Sequence, residues 1–260
     1  MSSATQELAD NLSRVQERIA LAASRAGRRA QEINLIAVSK THSAQKIQAL
    51  YEAGVRNFGE NRVQERESKL APLAGLNIVW HMIGRVQKNK AARAARLFES
   101  IDSVDSIALA EKLDRAVSDF VAECAEKIKA TGETQVFIPP KKLRVLIEIK
   151  LDTAPAKSGV AGEDVWPLVD AISRLPRLDV RGLMGVPPYF DNPEEARPYF
   201  RRMRELRDAL RARMGGEILP VLSMGMSQDF EIAIEEGATE VRVGSALFGE
   251  RAKGIIRRAE

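Results

Sequence analysis

The feature that most constrains this chain is a rhythm: eight short apolar runs, most of them followed by a segment with helical spacing. The runs are NLIAVSK (34–40), VRNFGE (55–60), NIVWHMIG (77–84), FESIDSVD (98–105), LRVLIEIK (143–150), LDVRGLMGV (178–186), ILPVLSMG (218–225) and TEVRVGSA (239–246). Read as strands apolar on both faces, with helices expected over 43–54, 61–71, 86–97, 106–130, 163–175, 193–214 and 228–236, they describe a parallel sheet covered by helices. The count of eight points to a closed α/β architecture, a single (β/α)8 barrel of the TIM type. An open doubly wound sheet is the competing arrangement, but the Gly-x-Gly-x-x-Gly turn after the first strand is missing.

Ahead of the first strand, Leu8, Leu12, Val15, Ile19 and Ala22 recur at helical steps and mark an extra N-terminal helix. The 260 residues, 45% of them hydrophobic, suffice for one barrel core, so a single domain over 1–260 is expected. KATGETQVFIPPKK, residues 129–142, breaks the rhythm and reads as a surface insertion. The helix at 193–214 is the best marked: Asn192 can cap it, Pro193 fits its first turn, Glu194 and Glu195 oppose its dipole, and Gly215 ends it.

Charge narrows the partners. With 40 basic against 36 acidic residues, the net charge is only +4. The most basic helix, FRRMRELRDALRARM, interleaves its arginines with Glu205, Asp208 and an apolar stripe and lacks aromatic stacking residues, which argues against nucleic acid. A single cysteine, Cys124, forms no intramolecular disulfide and sits mid-helix, consistent with a structural role in a reducing compartment. MSSATQELAD has no basic segment followed by an apolar stretch, and no window approaches 18 apolar residues. A cytoplasmic protein with no membrane partner is expected, acting as a monomer. Two histidines, His42 and His81, make a histidine metal site improbable, and no metal is expected.

In a barrel of this kind the chemistry collects at the C-terminal ends of the strands, with phosphate in the last two loops. That rule brings together Lys40, Asn61, His81, Lys157, Ser223, Gly225, Ser227, Gly244 and Ser245. SMGMSQD and VRVGSALFG supply hydroxyls and loop N–H groups that outline an anion site, although a plain helix cap with a tight-turn glycine explains each one alone. Lys40 ends an apolar strand, where lysine is seldom buried without a partner. Alone it reads either as a solvated strand end or as a placed amine, and the anion site opposite favours the amine. An amine attacks a carbonyl only when neutral, which favours a desolvated lysine near another cation, and Arg242, inward by alternation with Val241 and Val243, is that cation. A ligand with both an aldehyde and a phosphate is pyridoxal 5'-phosphate. Arg242 facing its ring nitrogen would donate a proton contact there and weaken the cofactor as an electron sink.

The blocks AVSKTHS, GENRVQE, WHMIGRVQKNK, KSG at 157–159, GLMGVPP and LSMGMSQDFEIAIEEGATEVRVGSALFGER stand in the order and spacing of a known family. Over roughly residues 8–251 the chain resembles the pyridoxal phosphate homeostasis proteins, the YggS or PROSC family. The resemblance implies a barrel like the N-terminal domain of alanine racemases, a Schiff base on Lys40, phosphate contacts from Ser227, Gly244 and Ser245, and Arg242 close to the cofactor ring. It also implies a protein that holds or delivers the cofactor, with apo pyridoxal phosphate enzymes as partners and no established reaction. Three positions depart from the family: Arg62 where tyrosine is usual, which is left out of the site, and Met82 and Val86, which are apolar exchanges at core positions.

Some residues keep two readings. His81 either contacts the cofactor ring or is a hydrogen-bonded strand-end histidine. Lys157 either binds anions and receives cofactor from Lys40 or is a solvated lysine. Asn61 caps a helix and also points toward the pocket. The alternative function is an amino-acid racemase of the alanine racemase type, whose second base is a tyrosine from a C-terminal domain; here the chain stops at Glu260, and Tyr189 is the tyrosine nearest the mouth. A Schiff-base aldolase acting on a phosphorylated sugar uses the same lysine and phosphate elements, but the family blocks oppose it.

Overall fold

A computed structural model describes residues 3–131, 142–152, 158–215 and 218–249. The chain begins with α1 (Ser3–Arg25) and continues as β1 (Asn34–Val38), α2 (Ala44–Glu52), β2 (Asn57–Glu60), α3 (Val63–Glu67), β3 (Val79–Met82), α4 (Ala91–Leu97), β4 (Ser100–Val104) and α5 (Ile107–Thr131). It completes the barrel with β5 (Leu143–Ile149), α6 (Val165–Ser173), β6 (Leu178–Gly185), α7 (Arg197–Met214), β7 (Val221–Ser223), α8 (Phe230–Glu235), β8 (Glu240–Val243) and α9 (Ser245–Phe248). All eight strands pair in parallel and in sequence order, and β1 closes on β8 through the register Ile36 to Arg242. This is the (β/α)8 barrel expected from the strand count.

Helix boundaries differ from the expectation in an instructive place. The stretch 193–214 is a 3-10 turn, Pro193–Ala196, followed by α7. Pro198 is the reason: proline lacks an N–H and is tolerated only in a first turn, so the α-helix starts at Arg197 and keeps Pro198 there. Asn192 does cap, accepting the Glu194 N–H at 3.2 Å, and Gly215 ends the helix at φ 71°. The segment 61–71 is shorter than expected, with α3 spanning five residues. Most of the proposed insertion, 132–141, lies outside the described residues.

The helix α1 buries Leu8, Leu12, Val15 and Ile19 against the barrel's last segments. Each such side chain contributes about 1.5–3 kcal/mol of transfer free energy. Its polar contacts fall near the loops after β7 and β8: Asn11 donates to the Leu247 carbonyl at 2.9 Å, and Arg18 pairs with Glu231 at 2.7 Å. The extra helix therefore braces α8 and α9 from outside. Met82 and Val86 are buried in the core, and Arg62 is exposed. Cys124 is buried on α5. Among the described residues, no helix is long and apolar enough to cross a membrane.

The barrel interior corrects the reading of strands apolar on both faces. Arg144 of β5 bonds Glu240 of β8, and since these strands are not neighbours the contact crosses the barrel. Asn34 donates to Glu240 at 3.2 Å, Asn57 donates to Asn34 at 2.8 Å, and His81 meets Asn57 at 3.2 Å and Asp102 at 2.9 Å. Polar residues are buried this deeply only when they satisfy one another. The outer faces of the strands carry the apolar core beneath the helices, with Ala37, Phe58, Trp80 and Val241 among them.

Candidate functional site

A cavity of about 810 Å³ opens at the C-terminal mouth, and Lys40, Asn61, Ser227, Arg242, Gly244 and Ser245 all line it. Lys40 reaches it from a turn directly after β1. The His42 N–H donates to the Ser39 carbonyl at 3.0 Å, so Lys40 and Thr41 are the two central residues of a β-turn. Thr41 has φ 67°. A β-branched residue in the left-handed region is strained, and such strain is concentrated where a structure holds a functional side chain in place. Lys40 itself is half-buried. His42 is half-buried as well and stacks on Phe248 with ring centres 4.3 Å apart.

Opposite the lysine, the Gly244 and Ala246 N–H groups donate to the Ser227 hydroxyl oxygen at 3.1 and 3.3 Å. Two N–H groups from the segment after β8 thus converge on one oxygen presented by the loop after β7, and converging donors are what a phosphate oxygen requires. Gly225 stands behind this loop at φ 91°, and a Cβ there would lie 2.6 Å from the Ala233 Cβ. Only glycine brings the loop that close to α8.

Arg242 is buried on β8 and donates to the Ser223 hydroxyl at 2.8 Å and to the Gly185 carbonyl at 2.9 Å. Burial pushes its guanidinium below the usual arginine range, and Asp102, Asp229, Glu240 and Glu148 oppose that change. Burial alone would raise Asp102; the charge and hydrogen bond of His81, with Ser100, outweigh it and hold that carboxyl below its ordinary value.

Three expected residues sit elsewhere. His81 is fully buried in the interior chain beneath the cavity, the strand-end reading of that histidine; its ring nitrogens face Asp102 and Asn57. Ser223 and Gly225 support Arg242 and the loop without lining the cavity. Asn61 lines the cavity but does not cap α3: Arg62 occupies the cap position, and the Glu65 carboxylate accepts the Asn61 and Arg62 N–H groups, each at 3.2 Å. Lys157 lies outside the described residues. His81, Asp102 and Glu240 have ligand-type atoms within 4.8 Å of one another, but Arg144 already compensates this group from inside the barrel.

Sequence reasoning missed Asp229, which lines the cavity and accepts the Met226 N–H at 2.6 Å. Burial raises its carboxyl pKa, opposed by the Met226 hydrogen bond and Arg242. Its position six residues after Ser223, in the same loop, was the available signal. Asp229→Asn keeps an acceptor for Met226 and removes a negative charge from the cavity that Lys40 and Arg242 also line. Sulfate should bind the variant about tenfold more tightly at pH 7. Because the wild-type carboxyl is raised, it takes up a proton as pH falls, so the two affinities should converge in isothermal titrations run toward acid pH.

The fold and the cavity define a class: parallel (β/α)8 barrels with a lysine after the first strand and an N–H cluster after the last two. The sequence model of the alanine racemase N-terminal domain matches residues 11–252. A pyridoxal phosphate homeostasis protein of Aquifex aeolicus is 42% identical over 243 residues, 93% of this chain and 97% of that protein. The Pseudomonas aeruginosa protein of the same description is 39% identical, covering 95% and 97%. PipY of Synechococcus elongatus, solved with pyridoxal phosphate bound, superposes with TM-score 0.74 at 34% identity over 93% of this chain and 100% of that one. The chain belongs to the pyridoxal phosphate homeostasis protein family. Alanine racemase of Corynebacterium glutamicum, at 20% identity and TM-score 0.63, shares the fold.

Proposed function

We propose that this protein binds pyridoxal 5'-phosphate as a Schiff base on Lys40 and acts as a cytoplasmic carrier or regulator in vitamin B6 homeostasis, without a dedicated reaction of its own. The observation that carries the reading is one cavity holding an amine, a converging pair of loop N–H donors and a buried arginine. The donor set fits the ligand: Lys40 for the aldehyde, Ser227, Gly244 and Ser245 for the phosphate, Arg242 for the ring. When bound, the cofactor supplies an electrophilic carbon and a conjugated ring. The protein's own residues orient it.

Arg242 is the reason for reading a holder rather than an enzyme. A permanently charged donor gives the ring nitrogen no proton, so the ring draws electrons weakly. The family names and the PipY complex support cofactor binding by this chain. The apolar mouth, with Tyr189 71% exposed at its rim, leaves the site open to solvent and to apo-enzymes that would receive the cofactor from a monomeric barrel. Lys157 is the residue proposed to assist that transfer.

The test is an absorption titration with pyridoxal phosphate followed by borohydride reduction and peptide mapping. A yellow complex with the reduced adduct on Lys40 is expected, together with negligible interconversion of L- and D-alanine. A protein that remains colourless at saturating cofactor would refute the reading, and robust racemisation lost in Lys40→Ala would replace it with the racemase.

A further inference from the structure

Behind the Lys40 turn lies a buried ion pair that the cavity does not use. Lys69 follows α3 in the chain, and Glu60 ends β2; the two are 5% and 0% exposed, and neither lines the cavity. The Lys69 ammonium contacts the Glu60 carboxylate and donates to the Ser39 carbonyl at 2.9 Å. The Ser39 hydroxyl donates to the same carboxylate at 2.6 Å, and the Ser39 N–H donates to the Gly59 carbonyl at 3.0 Å. Every polar atom of Ser39 is therefore engaged, and its carbonyl accepts two donors, Lys69 and the His42 N–H that closes the turn.

We propose that Lys69 and Glu60 are positioning residues for Lys40, fixing the strained turn that presents the amine to the cavity. The pair is poorly explained as a stabilising device. One Glu60 carboxylate oxygen is buried with no partner, and apolar residues of equal volume commonly replace a buried ion pair without loss of stability. Burial raises the Glu60 carboxyl pKa, and the contacts of Lys69 and Ser39 only partly offset this. What the pair does supply is a charged hydrogen bond to the one carbonyl on which the turn closes, next to the left-handed Thr41. A strained turn persists only when its surroundings over-determine it, and Ser39 is where that happens.

The inference rests on the proposed role of Lys40, and the experiment separates the two. Lys69→Met keeps the length of the side chain and removes its charge. The double variant Glu60→Gln with Lys69→Met removes both charges, leaves none uncompensated, and carries the test if the single variant does not fold. In ligand-free protein, hydrogen exchange at the His42 amide should accelerate about tenfold or more, while amides of α5 and α7 exchange as in wild type. With pyridoxal phosphate, the dissociation constant should rise about ten- to a hundredfold, the penalty typical of a misplaced reacting group. Unchanged exchange at His42 would overturn the inference. So would unchanged cofactor affinity in a variant that folds, provided wild type forms the adduct. Should wild type form no adduct on Lys40, the functional reading fails, and the His42 exchange still reports whether the pair holds the turn.

Discussion

Lys40→Ala abolishes the covalent adduct: borohydride reduction of the variant in the presence of pyridoxal phosphate fixes no cofactor, and the affinity falls at least about a hundredfold. The expectation follows from the division of the site. The lysine supplies the only proposed covalent contact, whereas Ser227, Gly244 and Ser245 lie on separate loops across the cavity. Sulfate affinity should therefore remain within about twofold of wild type, because the loop N–H groups that converge on Ser227 do not depend on the amine. The cost in stability should be about 1 kcal/mol or less, since the side chain is half-buried at a turn rather than packed in the core. An adduct that moves quantitatively to another lysine at wild-type affinity would disprove the assignment.

Arg242→Met has the largest expected effect on folding. The guanidinium is the buried cation facing Asp102, Asp229, Glu240 and Glu148, and it donates to Ser223 and Gly185. Methionine matches much of the volume but leaves a carbonyl and a hydroxyl without their donor and the carboxylates without their counter-charge. Breaking a buried pair in this way costs about 3–5 kcal/mol. For a chain of this size that lowers the melting temperature by roughly 10 °C. The pH dependence has a definite sign. Burial already raises Glu148 and Asp229, and losing Arg242 raises them further. A carboxyl raised in the folded state binds its proton more readily there than in the unfolded chain, so this part of the deficit shrinks as pH falls toward the ordinary carboxylate range. Asp102, held low by His81, resists that recovery, because its stabilisation is lost as pH falls through its folded value. Thermal melts from pH 8 to pH 5 should show the gap between variant and wild type narrowing. A gap that widens would show that the carboxylates are not the source.

Much of the site was legible because it hangs on strand ends. Once NLIAVSK is a strand, Lys40 lies at its C-terminal end; once TEVRVGSA is a strand, Arg242 points inward and Gly244 and Ser245 follow it. Ser227 was reachable by the same reasoning, since a barrel places the loops after its last two strands beside the first. His81 was ambiguous for a physical reason. A strand-end histidine faces either the mouth or the interior depending on where its partners stand, and Asp102 and Asn57 lie on the neighbouring strands. Asn61 misled as a cap because the acceptor comes from Glu65, one helical turn later. Asp229 carried only its place in the loop after β7 as a signal, and Lys69 carried none. An acidic residue near a helix start and a lysine after a short helix are ordinary until their surroundings are known.

The sequence by itself determined the elements, their order and the barrel, because apolar period, turn residues and caps act over only a few neighbours. It also placed Lys40, Ser227, Arg242, Gly244 and Ser245 toward the mouth, since strand ends follow from the same local rules. Tertiary structure alone decided the polar interior and the clamp on Ser39. Arg144 meets Glu240 across 96 positions and Lys69 meets Ser39 across 30, and such partners are set by barrel closure and strand register. Burial then turns those meetings into energetics: a charge removed from water must find its counter-charge at contact distance, and only the folded chain fixes which one that is.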